Sequence, residues 1–139
     1  GASIDIIART TCSLRPEVEG LSDNIRVRSI VGRFLEHSRI YAFEAGERTT
    51  TYIGSPDLMP RNLDHRIEIL VPVENARVRQ EISAILDSAL ADDANAWLLG
   101  ADGEWTRAPT SDKPHSHHST MMRRALARAQ RRARERRGA

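Results

Sequence analysis

The sequence predicts an α/β fold, in which a mixed β-sheet is flanked by helices. Short runs rich in β-branched and apolar residues, separated by turn residues, recur from residue 4 to residue 73, and such runs are typical of strands. A long segment with helical apolar spacing follows them. A chain of 139 residues has room for one modest domain with a thin core.

Five strands are predicted before the helix, over residues 4–8, 25–29, 39–43, 49–53 and 66–73. In the second of them, Ile25 and Val27 alternate with two arginines, which predicts one packed face and one charged face. Gly46 indicates a hairpin between the third and fourth strands. The run 66–73 has the strongest strand pattern, whereas residues 57–64, which contain Pro60, are predicted to be irregular or briefly helical.

Asn75 is a suitable N-cap for the predicted helix. Its apolar stripe consists of Val78, Ile82, Ile85, Leu86, Ala89 and Leu90. Residues 92–93 end this helix, and residues 96–99 and 104–107 resemble a terminal hairpin. We therefore expect a folded part over residues 1–108.

Residues 109–139 are predicted to be a polar linker followed by a basic C-terminal helix or tail. Eight arginines and one glutamate give residues 122–139 a local charge of +7, so the remainder is near −5 in a total of +2. Twenty of the 21 basic residues are arginine, which suits bidentate phosphate binding, although a GC-rich codon bias explains the same excess. His115, His117 and His118 form a short His-rich tract, but no further ligand of fitting spacing follows, so no metal site is predicted.

The sequence contains few features that indicate where in the cell the protein is located. Cys12 is the only cysteine, so no internal disulfide forms, and we interpret it as structural. No apolar run reaches the roughly 20 residues of a membrane helix, and the N-terminus lacks a signal-peptide pattern. The absence of an initiator Met suggests a piece of a longer protein.

His37 is the strongest candidate for a catalytic residue. Arg33 and Arg39 lie near it in sequence, and Arg9, Arg61 and Arg66 can join it in the fold. Neighbouring cations favour a neutral imidazole, which can act as a base or a nucleophile, and a protonated ring can donate to a leaving oxygen. His37 and Arg39 are two residues apart, so on a strand they would point the same way.

Arg9 follows the first predicted strand, where open α/β sheets place ligand-binding groups. The plainer interpretation is a solvated arginine at a strand end. The phosphate-binding loop Gly-x-x-x-x-Gly-Lys is absent, which excludes a P-loop kinase.

A resemblance to a known family rests on several segments: residues 12–16, 20–26, 29–40, 52–55, 59, 61–64 and 66–68. They closely resemble the C-terminal domain of bacterial polyphosphate kinase, over about residues 4–90. The His-x-Arg and Gly-Ser-x-Asp patterns also resemble a degenerate phospholipase D motif, with Arg39 in place of lysine. The resemblance therefore implies a phospholipase D-like half domain.

The resemblance also implies roles. Arg9 matches the family's ATP-binding arginine, and His37 matches its second active-site histidine, at the nucleotide phosphates. Together with Arg39, these residues are the expected nucleotide-binding set, and His37 is the expected catalytic residue. The phosphorylated histidine and the groups for Mg²⁺ are expected in missing domains, so this chain would hold no metal and be inactive alone.

The expected partners are ATP or ADP, polyphosphate and the remaining domains, in a homo-oligomer located in the cytoplasm or peripheral to the inner membrane; no nucleic acid is expected. Two alternatives remain open. A phospholipase D-like phosphodiesterase or nuclease half-site would prefer lysine at Arg39. A basic nucleic-acid-binding module would rest on the arginine tail alone and would bind DNA with strong salt dependence.

Overall fold

The structure, a computed structural model, describes residues 1–9 and 12–137 and divides them into two compact units. The first unit consists of Gly1–Glu36 and Ile85–Ala139, and the second of His37–Ala84. The α/β class is confirmed, with the strands in two sheets. The last two residues of the predicted basic tail lie outside the described part.

A mixed four-stranded sheet forms the centre of the first unit, in the order β1-β2-β6-β7. Its strands are β1 (Ile4–Ile7), β2 (Ile25–Ile30), β6 (Ala96–Leu99) and β7 (Trp105–Arg107). β1 runs parallel to β2, and β6 is antiparallel to both β2 and β7. The predicted C-terminal hairpin is thus confirmed as β6–β7, and it continues the sheet that begins at the N-terminus.

The core of the first unit is small and lies mainly on β2 and β6. Val27 and Ile30 on β2 are buried, as are Ala96 and Leu99 on β6. The predicted alternation along β2 holds, because Val27 is buried and Arg26 on the opposite face is exposed. Arg26 forms an ion pair with Asp5 of the neighbouring strand at 2.9 Å.

The second unit contains an antiparallel three-stranded sheet in the order β3-β4-β5, with β3 at Ile40–Ala45, β4 at Arg48–Gly54 and β5 at Leu70–Pro72. Gly46 forms the predicted hairpin with a φ of 60°. A short helix, α1 (Pro60–Asp64), has proline at its start, where the missing N–H is not needed.

One predicted strand of this sheet is much shorter than expected, and another is confirmed with its start shifted by one residue. The strand expected over residues 66–73 is reduced to the three residues of β5. In the segment before it, both backbone groups of Ile69 bond to Ser55, and the Ile67 side chain is fully exposed. The strand expected from Arg39 begins one residue later, so His37 and Arg39 precede β3.

Two longer helices complete the chain. The predicted helix is confirmed as α2 (Ala76–Leu90), and the boundary between the units falls within it. The side chain of Asn75 caps it by accepting hydrogen bonds from the backbone N–H groups of Arg77 and Val78. The predicted basic helix is α3 (His117–Arg137), and its first two residues, His117 and His118, are buried.

Candidate functional site

His37, Arg39 and Asp57 form a connected group in the second unit, called here the His37 site. Arg39 precedes β3, and Asp57 follows β4, which pairs with β3. The Nη1 atom of Arg39 lies 3.1 Å from Nδ1 of His37 and also donates to the His37 carbonyl at 3.2 Å. The Nε atom of Arg39 donates to Oδ1 of Asp57 at 3.1 Å.

This geometry selects one tautomer of His37. An arginine guanidinium is always charged and only donates, so Nδ1 of His37 must accept the hydrogen bond. A neutral imidazole that accepts at Nδ1 carries its proton on Nε2. Because the His37 side chain is exposed, its Nε2–H can reach a bound ligand as a donor.

Asp57 holds the arginine in position. The side chains of Arg39 and Asp57 are only 19% and 21% exposed, so solvent screens this ion pair less than it screens a surface pair. The order of contacts is therefore carboxylate to guanidinium to imidazole. Each member restricts the orientation of the next one.

A hydrogen bond anchors the loop that carries Asp57 to β3. The Tyr41 hydroxyl donates to the carbonyl oxygen of Pro56 at 2.8 Å. Burial, and next the negative charge of Asp57, raise the pKa of Tyr41, so this phenol stays protonated and remains a donor.

Glu68 holds Ser55 and Asn62, which lie on either side of Asp57 in the sequence. Its carboxylate accepts hydrogen bonds from the Ser55 hydroxyl and from Nδ2 of Asn62, the latter at 2.6 Å. These bonds lower the pKa of Glu68 and keep it ionised. The Oδ1 atom of the buried Asn62 has no partner among the residues described.

An open groove of about 540 Å³ lies beside this group. Polar and apolar residues line it together: His37, Ser38, Arg39, Ile40, Ile53, Gly54, Ser55, Ile69 and Val71. A groove lined by a histidine, an arginine and several apolar residues suits a ligand with both phosphate and less polar parts.

Of the predicted site residues, the structure brings His37 and Arg39 into direct contact. Arg9 is half-buried in the first unit and follows β1, as expected, at the end of that strand. Arg33 also belongs to the first unit, where its guanidinium lies 6.0 Å from the centre of the Phe34 ring. The nucleotide-binding role of Arg9 stays a prediction.

The His-rich tract of the sequence forms a second group of histidines, called here the buried histidine cluster (His115, His117 and His118), whose packing the sequence did not predict. The side chains of His117 and His118 are each 4% exposed. Nε2 of His118 lies 2.5 Å from the carboxylate of Glu36, and Nδ1 of His118 accepts from the backbone N–H of Phe34 at 3.4 Å. This part of the supposed polar linker is therefore packed.

Ser88 and two aspartates complete the surroundings of this cluster. The Ser88 hydroxyl lies 3.0 Å from Nε2 of His115 and 3.1 Å from Nδ1 of His117. The carboxylate of the buried Asp92 accepts from the backbone N–H of His117 at 2.8 Å, at the start of α3. Hydrogen bonds from Ser111 and from the His115 backbone lower the pKa of Asp93 to about 2.

The described residues contain no cluster of three or more His, Cys, Asp or Glu side chains able to hold a metal ion. The groups at hand in either histidine site thus do not fit a Mg²⁺ ion. Within residues 1–9 and 12–137, none of the helices combines the length and apolar character needed to span a membrane.

Comparisons with known proteins agree on one family. A family model described as polyphosphate kinase C-terminal domain 2 matches residues 1–120. A polyphosphate kinase of Streptomyces coelicolor is 50% identical over 110 residues, which are 79% of this chain and 15% of that protein. The Pseudomonas aeruginosa polyphosphate kinase is 44% identical over 129 residues, or 91% of this chain and 19% of the relative.

A solved structure agrees with the sequence comparisons. The crystal structure of polyphosphate kinase from Porphyromonas gingivalis matches with a TM-score of 0.83 and 35% identity, over 91% of this chain and 19% of that chain. The present chain thus spans less than a fifth of the relatives it matches. These comparisons do not favour the phosphodiesterase alternative.

Proposed function

Because this chain belongs to the family of polyphosphate kinase C-terminal domains, we propose that it is part of an enzyme that makes polyphosphate from ATP. In this proposal the γ-phosphate of ATP passes reversibly onto polyphosphate through a phosphohistidine that lies outside these residues. The chain supplies groups that bind and orient the nucleotide phosphates, and by itself it is inactive.

The observation that carries the proposal is the 3.1 Å contact between Arg39 and Nδ1 of His37. With Nδ1 engaged, the exposed Nε2–H can donate a hydrogen bond to the oxygen that becomes negatively charged as ADP leaves, while the proton stays on the ring. In the reverse direction the same hydrogen bond orients the attacking oxygen of ADP. His37 is thus proposed as a hydrogen-bond donor to the leaving oxygen and not as the group that carries the phosphate.

The neighbouring charges support this role. Arg39 adds a fixed positive charge beside the imidazole, and phosphoryl transfer depends mostly on positioning and on stabilising charge. Asp57 keeps the guanidinium oriented through its hydrogen bond to Nε. We further propose that Arg9 binds the phosphates of the nucleotide.

The remaining parts of the proposal concern the full-length enzyme. Mg²⁺ would be held by groups outside the described residues, because these contain no suitable cluster. ATP, polyphosphate and the other domains of the enzyme are the proposed partners, and we propose a homo-oligomer in the cytoplasm.

The test uses the full-length enzyme with His37→Ala. We expect synthesis of polyphosphate from ATP to fall by about 10²- to 10³-fold, the usual loss when one preorganised donor to a developing negative charge is removed. His65→Ala is the matched control, since His65 is an exposed histidine of the same unit. Equal activity of the two variants would remove His37 from the mechanism.

A labelling experiment separates a hydrogen-bond donor from a nucleophile. After incubation with ATP labelled at the γ-phosphate, the acid-labile label should map to a peptide outside residues 1–139. Label on the peptide that contains His37 would show that this imidazole carries the phosphate, against the tautomer that Arg39 selects.

A further inference from the structure

The C-terminal helix carries a strongly basic surface that the proposed active site does not use. Residues 122–139 contain eight arginines and one glutamate, and every described residue from Arg123 to the end of α3 is exposed. The family model ends at residue 120. The Pseudomonas aeruginosa relative and the solved structure each cover 91% of the chain and so extend into α3, but all eight arginines follow the end of the family model.

Four of the arginines share one face of α3 and are called here the arginine stripe: Arg124, Arg128, Arg131 and Arg132. Their spacing of four, three and one residues places them along one side of a helix. With a rise of about 1.5 Å per residue, the stripe extends for about 12 Å. The apolar side chains Met122 and Leu126 lie on another face.

Local helix energetics do not explain the stripe. Arginines in the last turn interact favourably with the helix dipole, and Arg134, Arg136 and Arg137 occupy that turn. The stripe lies one to three turns earlier. Within it, Arg124 and Arg128 are four residues apart, as are Arg128 and Arg132, so successive guanidinium groups lie about one helical turn apart.

We infer that the arginine stripe of α3 binds linear polyphosphate, in addition to the active site. This inference rests on the proposed function, because that function supplies polyphosphate as the anion. Guanidinium groups bind phosphate oxygens in pairs, so four of them in a row fit a chain of phosphates. The stripe would hold the growing product near the enzyme.

The composition of α3 distinguishes polyphosphate from other polyanions. Residues 120–139 contain no Phe, Tyr or Trp, whereas single-stranded nucleic acids are bound with aromatic side chains that stack on bases. A membrane-surface helix carries Trp, Phe and Leu on its apolar face, and here that face has one leucine and one methionine among alanines. A polyanion without bases is the partner that this helix fits best.

The test compares two variants of the 139-residue chain that have the same net charge. One replaces the stripe (R124Q, R128Q, R131Q and R132Q), and the control replaces the other four arginines of the helix (R123Q, R134Q, R136Q and R137Q). Binding of sodium polyphosphate of one narrow length class is measured by calorimetry at two salt concentrations. We expect the stripe variant to lose affinity by at least about tenfold and the control by no more than about threefold.

Several outcomes would overturn the inference. Equal losses in both variants would show attraction by net charge alone, and no loss in either would place polyphosphate elsewhere. Tighter binding of DNA, or of phosphatidylglycerol vesicles, at equal phosphate concentration would identify a different partner.

The full-length enzyme provides an independent measurement. The stripe variant should consume ATP at the initial rate of the unaltered enzyme but release shorter polyphosphate, as seen by gel electrophoresis. Unchanged product length would contradict the inference. If the unaltered enzyme makes no polyphosphate, the proposed function fails, while the binding experiment still decides whether the stripe binds this polyanion.

Discussion

The molecule contains two histidine sites with opposite surroundings. His37 is exposed beside a groove, and of its two ring nitrogens only Nδ1 has a partner within the described part of the chain. His118 is buried, and both of its ring nitrogens are engaged, one by Glu36 and the other by the Phe34 backbone. A ring with both nitrogens occupied stabilises a fold, whereas a ring with one nitrogen directed to solvent is available for chemistry. Substitutions in the buried histidine cluster should therefore change the stability of the fold, whereas substitutions in the His37 site should change the activity of the full-length enzyme.

The largest effect on stability is expected for His118→Ala. Removing the imidazole leaves the Glu36 carboxylate and the Phe34 N–H without their partner and opens a cavity, which should cost about 2–3 kcal/mol of unfolding free energy. Urea denaturation of the 139-residue chain measures this. The exposed His65→Ala should change stability by less than about 0.5 kcal/mol. A His118→Ala chain as stable as the His65→Ala chain would contradict the structural role of the cluster.

Gly32→Ala should also destabilise the fold around His118. A Cβ atom at Gly32 would overlap Nδ1 and Cε1 of the His118 ring, so the ring or the backbone must move, at a cost of about 1–3 kcal/mol. The measurement is again the urea midpoint. Alanine at the exposed Gly20 is unsuitable as a control because its φ is 72°, whereas Ser119→Ala, on the exposed surface of α3, is suitable. Equal midpoints for Gly32→Ala and Ser119→Ala would show that the ring does not depend on the glycine.

Arg39→Lys should affect chemistry more than stability. Lysine keeps the charge but cannot bind Asp57 and His37 at once through a planar fork, so the imidazole loses its fixed orientation. In the full-length enzyme we expect kcat to fall about tenfold, with a smaller change in KM, because a misplaced catalytic group lowers the rate. Asp57→Asn should lower kcat in the same direction. An unchanged kcat in both variants would show that the orientation of His37 does not depend on Arg39.

The smallest effect is a pH dependence of stability. Burial lowers the pKa of His117 below 6.5, which the negative charges of Glu36 and Asp92 oppose and the neighbouring His118 and His115 reinforce. Because the unfolded chain binds this proton more readily, stability is fully present above about pH 6.5 and falls as the pH decreases towards the folded pKa. Asp93 acts in a separate window, since its contribution is lost only below about pH 3.8.

His117→Gln should flatten the stability profile between pH 6.5 and the folded pKa, while His65→Ala should leave it unchanged. The measurement is the urea midpoint as a function of pH. The same slope in His117→Gln and the unaltered chain would assign the pH dependence to another group.

Much of the fold could be predicted from local patterns. The N-cap Asn75, the helix after it, the hairpin at Gly46 and the β6–β7 hairpin all follow from short-range turn chemistry and periodicity. The 66–73 strand was overestimated because apolar alternation does not show where backbone pairing ends. Here the hydroxyl of Ser55 takes the N–H of Ile69, which local pattern cannot reveal.

The two histidine sites differ in the same way. His37 and Arg39 are two residues apart, so sequence reasoning could anticipate their contact, although both residues precede β3 instead of lying on a strand. His118 and Glu36 are 82 residues apart, and nothing in a His-rich polar segment indicates a carboxylate partner so distant in sequence. A long-range pair of this kind requires the tertiary structure.

The three-stranded sheet of the second unit has a practical consequence for handling this chain. Ile53, Ile69, Leu70 and Val71 are between 41% and 64% exposed, and β3 and β5 are both sheet edges. Unpaired edge strands next to exposed apolar side chains promote intermolecular strand pairing. Purified alone at high concentration, the 139-residue chain should therefore self-associate through this sheet, and dilute, low-temperature samples should give the cleanest binding data.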